Sequence, residues 1–210
     1  MRVDIWSDIV CPWCYIGKAR FERALASFEH ADEVEVEFHS FQLDPSAPEE
    51  PEPLLSFLAD RYGMSTDQAR ETDAGAGANA EGEGLAYTSA RKNANTFDAH
   101  RLLHLARERG RQREAVDTLF RANFGEGADV FGREALVGLA EKAGLDADEA
   151  RRVLEEGRYA DHVKADVEQA RALGATGVPF FVIDERYGVS GAQPADVFTR
   201  VLEKAWEERD

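Results

Sequence analysis

The segment Cys11-Pro12-Trp13-Cys14 constrains this chain more than any other. Its two cysteines are the only ones in 210 residues, and they stand between a short apolar stretch and a helical pattern. Met1–Ile5 alternates as a strand does, and Ser7 and Asp8 bring the chain round. From Pro12 the apolar residues Tyr15, Ala19, Phe21, Leu25 and Phe28 recur with helical period. Pro12 in the first turn loses no needed hydrogen bond. Sulfurs at this spacing can close a local disulfide, and the first lies where helix amides favour a thiolate. A Cys-x-x-Cys at a strand-to-helix junction therefore reads as a thiol–disulfide redox site. A structural pair or a metal pair is the competing reading. Zinc wants four ligands, and no second cysteine pair or suitable His-x-x-x-His partner follows. His100 and His104 have ligand spacing but lack the acid of His-Glu-x-x-His, so helix packing is their expected role. No metal is expected.

Charge narrows the partners. Acidic residues number 41 against 25 basic ones, for a net charge of −16, and only five of the basic residues are lysines. Such a field disfavours nucleic acid and anionic membranes. It suits either a salty cytoplasm, where screening weakens self-repulsion, or simply an acidic protein of Arg- and Ala-rich composition. No run approaches the roughly 20 apolar residues of a membrane span. The first residues lack the regions of a secretion signal, which makes a cytoplasmic protein the expectation.

Val34–Gln42 alternates apolar and polar residues and predicts a second strand. Four prolines between Asp44 and Pro53 predict an extended connection. From Leu54 to about Leu173 the pattern is helical, with segments at 54–62, 96–109, 112–123, 133–143, 147–156 and 158–173. Gly110, Gly144 and Gly157 fall near helix ends, where a left-handed cap is useful. Asp73–Gly84 carries four glycines, each costing about 1 kcal/mol in a helix interior. The expectation there is a helix that starts well and frays later. Val178–Ile183 is a short apolar strand, Asp184–Arg186 turns it, Tyr187–Ser190 returns, and Pro194–Glu208 closes as an amphipathic helix. This order fits a small mixed sheet with helices on it and a helical insertion in the middle.

Four stretches then carry a family resemblance. Ser7-Asp8-x-x-Cys11-Pro12-Trp13-Cys14-Tyr15-Ile16-Gly17-Lys18, Asn95-Thr96-Phe97-Asp98-Ala99-His100-Arg101-Leu102, Gly177-Val178-Pro179-Phe180-Phe181 and Gly188-Val189-Ser190-Gly191-Ala192-Gln193 resemble the FrnE-type branch of the DsbA-like thioredoxin superfamily. The match runs almost end to end. It implies an α/β thioredoxin fold with an inserted all-helical subdomain, divided as 1–44 with 174–210 and 45–173. It also implies thiol–disulfide oxidoreductase or isomerase activity, with Val178-Pro179 as the cis-proline loop facing the active-site pair. In that scheme Cys11 is the exposed nucleophile and Cys14 the inward resolving thiol. Pro12, Trp13, Val178 and Pro179 contact the substrate, a disulfide-bearing protein or small thiol, with extended backbone pairing at the proline loop. The second motif makes Asn95 or His100 a cleft residue. Trp13, in place of a histidine, implies a less oxidising couple.

The same branch includes glutathione-dependent 2-hydroxychromene-2-carboxylate isomerases and kappa-class transferases, which replace the first cysteine with serine. Cys11 favours redox exchange. The alternative is a glutathione-dependent isomerase or transferase acting on a small aromatic or polyketide-like molecule. A third reading is a peptide-binding module without catalysis. No cofactor is expected beyond glutathione as a co-substrate, and a homodimer is compatible with the resemblance. No second cysteine pair stands near Trp206, so a shuttle between two disulfides is not expected. His39 is expected on a sheet face and Lys18 in solvent. Asp8 would raise the pKa of a nearby thiol.

Overall fold

A computed structural model describes residues 1–209. In chain order the elements are β1 (Arg2–Ser7), α1 (Pro12–Ala26), β2 (Glu35–Ser40), β3 (Glu52–Pro53), α2 (Leu54–Tyr62), α3 (Thr66–Gly82), β4 (Lys92–Asn93), α4 (Phe97–Glu108) and α5 (Gln112–Phe120). There follow α6 (Arg133–Lys142), α7 (Ala147–Glu156), α8 (Ala160–Ala172), β5 (Phe180–Ile183), β6 (Tyr187–Ser190) and α9 (Ala195–Glu207). Among the described residues no helix is long and apolar enough to cross a membrane.

The chain divides into two compact units, one formed by Met1–Leu43 with the chain from Ala165 onward, the other by Asp44–Lys164. The second junction falls inside α8, ahead of the Gly174 boundary taken from the sequence.

The first unit holds a four-stranded sheet in the order β2-β1-β5-β6. β1 runs parallel to β2 and antiparallel to β5, which is antiparallel to β6. Alternation sorts the two faces. Val3 and Ile5 lie on one face, beside Phe181 and Ile183 of β5, and all four are buried. There Phe21 of α1 and Phe198 of α9 pack on Phe181, with ring centroids 5.6 and 4.7 Å away. Burying each such ring is worth about 1.5–3 kcal/mol, which docks both helices on the sheet. On the other face Trp6 joins Phe41, Ala170, Ala175 and Val182 in a cluster beneath the end of α8. Its indole N–H donates to the Asp166 carbonyl at 3.0 Å.

That second face also carries charge. Register sets Asp4 opposite Glu37 and Trp6 opposite His39. Arg2 Nη2 lies 2.6 Å from Asp4 and 3.2 Å from Glu37. His39 Nε2 meets Asp4 at 2.6 Å and Nδ1 meets Asp166 at 3.3 Å, while its ring stacks on Trp6 with centroids 4.5 Å apart. The other Asp166 oxygen accepts the Ser40 N–H at 2.7 Å.

The second unit is helical apart from the two-residue ladder of β3 with β4. Its glycine caps fall as expected, with left-handed φ at Gly110, Gly144 and Gly157. Buried Arg101 of α4 donates to the Val153 carbonyl, which also accepts the Gly157 N–H at the end of α7, and to the Arg158 carbonyl just beyond that end at 2.8 Å.

The glycine-rich stretch corrects its expectation. α3 runs unbroken through Gly75, Gly77 and Gly82, opened by a Ser65–Gln68 capping box. Tertiary contacts override propensity here. Asp73 of α3 accepts from Tyr87 at 2.7 Å and from Arg91 at 2.6 Å, in a buried ion pair. The Arg91 guanidinium lies over the Tyr87 and Phe124 rings. Gly77 gives room to the Tyr87 ring, whose Cδ1 would sit 3.0 Å from any added Cβ. A turn of π-helix, Arg121–Gly125, follows α5 where a plain helix was expected, and carries Phe124.

Candidate active site

The site forms where β1 ends and α1 begins. Asp8, Ile9 and Val10 turn the chain, and the Cys11 N–H donates to the Asp8 carbonyl at 3.1 Å. Cys11 is the N-cap residue, extended at φ −85° and ψ 111°, and Pro12 opens the helix. The Cys11 carbonyl then accepts from the Cys14 N–H at 3.0 Å, so both cysteines belong to one turn.

Both are free thiols, and both are buried, Cys11 at 3% exposure and Cys14 at 1%. This corrects the exposed sulfur expected for Cys11. The Val178 carbonyl lies 3.5 Å from its Sγ and shields it. Cys14 sits deeper. Burial raises its pKa well above the ordinary thiol value, and hydrogen bonding and charge from Cys11 add to the effect. The Asp8 charge raises it further, against a backbone hydrogen bond from Asp8 that lowers it. Asp8 is itself buried, and its carboxylate accepts the Leu43 N–H at 2.8 Å.

The predicted residues divide between the units. Cys11, Pro12, Trp13, Cys14, Val178 and Pro179 share the first, where the Val178-Pro179 peptide is cis. Trp13 is 42% exposed beside the buried thiols. Asn95 and His100 belong to the helical unit. Asn95 Oδ1 accepts from the Phe97 N–H at 2.9 Å at the start of α4, and its amide donates to the carbonyls of Pro45 and Ala47 at 3.1 and 3.3 Å. His100 is fully buried on α4.

Two residues escaped the sequence reading. Lys18, expected in solvent, is buried with its ammonium 2.7 Å from Glu22, one turn along α1. His39 stands on a sheet face as expected, but within an ionic cluster. Alternation alone would have grouped Arg2, Asp4, Glu37 and His39 on one face. Among the described residues, Asp4, Glu37 and His39 bring possible metal-ligand atoms within 4.8 Å of one another. Arg2 already supplies a cation to both carboxylates. Burial opposes protonation of His39, but the hydrogen bonds and charges of Asp166 and Asp4 outweigh it and raise its pKa to about 9. The cluster is thus a closed ion network.

A dithiol at a helix start, beside a cis-proline loop on a four-stranded mixed sheet, defines a protein of thioredoxin type. More narrowly, residues 2–203 match the DSBA-like thioredoxin domain model, and the chain belongs to that family. It is 56% identical to a probable DsbA oxidoreductase from Streptomyces coelicolor, whose structure superposes with a TM-score of 0.95 over 100% of this chain and 92% of that one. It is 30% identical to the uncharacterized protein YwbO of Bacillus subtilis, over 96% of each chain. At 18% identity the fold alone is shared with the cytosolic disulfide reductase DsbM from Pseudomonas aeruginosa, with a TM-score of 0.67 and 100% of both chains covered. That protein has also been solved with GSH.

Proposed function

We propose that this chain exchanges thiols and disulfides through Cys11 and Cys14, with Cys11 the nucleophile and Cys14 the resolving thiol. The observation that carries the reading is their inequality. One cysteine caps the helix against the Val178 carbonyl, while the other is buried behind it and held protonated. In the reducing direction the Cys11 thiolate attacks a substrate disulfide, forming a mixed disulfide and releasing one substrate thiolate. Cys14 gives up its proton and attacks the Cys11 sulfur. The second substrate thiolate leaves, so two electrons have passed to the substrate and Cys11–Cys14 is oxidised. The high Cys14 pKa delays resolution until the mixed disulfide has formed, because only the thiolate attacks.

The substrate is a disulfide-bearing protein or small thiol, with glutathione as co-substrate and no bound metal or organic cofactor. Its extended backbone lies along Val178 and Pro179, and exposed Trp13 beside Pro12 adds apolar contact. The proposed compartment is the cytoplasm, in keeping with the description of the Pseudomonas relative.

Titration of the pair against glutathione buffers, with free thiols trapped by alkylation, tests the reading. A two-electron transition between about −120 and −270 mV is expected. Cys14→Ser should accumulate the mixed disulfide and lose turnover. A pair that never opens or never closes would refute the exchange cycle. Small-molecule isomerisation retained by Cys14→Ser would point to a glutathione-dependent isomerase instead.

A further inference from the structure

The motif Gly188–Gln193 takes no part in the thiol chemistry, yet it is anchored beside it. The Gly191 N–H donates to the Pro179 carbonyl at 2.8 Å, with Gly191 in the left-handed region at φ 79°. The next residue, Ala192, turns its carbonyl to Arg20 of α1, which donates from Nη1 at 2.6 Å. Pro179 and Ala192 therefore hang together on the helix that bears both cysteines. Their seat on that helix is Gly17, one turn beyond Cys14 on the same side. A Cβ at position 17 would stand 2.9 Å from Pro179 Cγ and 3.3 Å from both Cα and Cβ of Ala192. A proline ring and a main-chain carbon cannot swing aside as a long side chain would. Gly17 lies inside α1, where glycine is a poor helix former beside alanine. What it supplies is space.

Building on the exchange reading above, we propose that Gly17, with Arg20, is a positioning residue for that reaction. The notch at 17 sets how closely the Val178-Pro179 segment approaches Cys11, and Arg20 holds Ala192 down into it. The Val178 carbonyl reaches the Cys11 sulfur at 3.5 Å because the residue after it sinks into the notch. Gly17→Ala lifts Pro179 off α1 and carries Val178 away from Cys11. Arg20→Met removes the tether and leaves the notch intact.

The test compares two rates in each variant. One is kcat/KM for reduction of a fluorogenic disulfide peptide with reduced glutathione as the electron donor, which uses the Val178-Pro179 segment. The other is modification of Cys11 by methyl methanethiosulfonate in a Cys14→Ser background, which does not. Gly17→Ala should lower kcat/KM by roughly 10- to 100-fold, the scale of an ångström-sized misplacement, with the small-reagent rate kept or increased. Arg20→Met should show the same split, a few-fold in size. If Gly17→Ala does not fold, Arg20→Met alone decides. Peptide turnover within twofold of the parent chain in the folded variants would overturn the proposal. So would both rates falling together, since that marks general loosening. A parent chain that turns over no disulfide peptide would instead strike the exchange reading, and the positioning role with it.

Discussion

Stability should fall as pH rises through the neutral range, because of His39. Its ring faces Asp4, Glu37 and Asp166 with Arg2 beyond, under the end of α8. Its pKa moves from 6.5 to about 9 on folding, so the folded chain binds a proton that the unfolded chain has released by pH 7. A raised pKa stabilises fully below the unfolded value and is lost as pH climbs through the folded one. Two and a half pKa steps correspond to about 3 kcal/mol at pH 6, of which about 1 kcal/mol survives at pH 8. Urea unfolding at these two pH values should therefore differ by about 2 kcal/mol, with an unchanged denaturant slope. The window lies below the range in which the Cys14 thiol of the unfolded chain ionises. His39→Gln should be less stable at pH 6 and nearly flat between the two pH values. Following the imidazole carbon protons by NMR should show one histidine titrating near pH 9. A His39 that titrates near 6.5, or a His39→Gln chain with the parent's pH slope, would refute the reasoning.

Two further predictions concern α3. Gly77→Ala should destabilise by about 1–3 kcal/mol, since the Tyr87 ring is held by Asp73 and Arg91 and cannot yield. Gly75→Ala, with open space around it, should stabilise by up to about 1 kcal/mol; thermal unfolding of the pair reads the contrast. Arg91→Met leaves the Asp73 carboxylate buried without its cation and should cost about 3–5 kcal/mol, read as a lower urea midpoint.

The parts of this molecule that were legible are those that local chemistry decides. The β1–Cys11–α1 junction follows from alternation, a proline and a change of period within a few residues. The ends at Gly110, Gly144 and Gly157 follow from one residue type each. What escaped depends on partners far along the chain. Nothing near Gly77 tells that Tyr87 will need its missing side chain, so propensity gave a fraying helix. His39 finds Asp166 only once α8 has folded back on the sheet. The burial of Cys11 likewise depends on Val178, most of the chain away. Asn95 and His100 drew attention through a motif, and the helix start and core that they occupy account for their placement.

The register Ile5 with Phe181 has a consequence for synthesis. β1 leaves the ribosome before its neighbour β5, which follows only after the whole helical unit. At translation rates of about 5–20 residues per second, β1 waits on the order of 10–30 s with one ladder edge open. Asp44–Lys164 can complete its own core during that interval, but the sheet cannot. A nascent chain stalled before Phe180 would present Val3 and Ile5 without the strand that covers that edge, a template for pairing with another chain. The redox helix is made before the helical unit, and the wall that faces its sulfur comes after it.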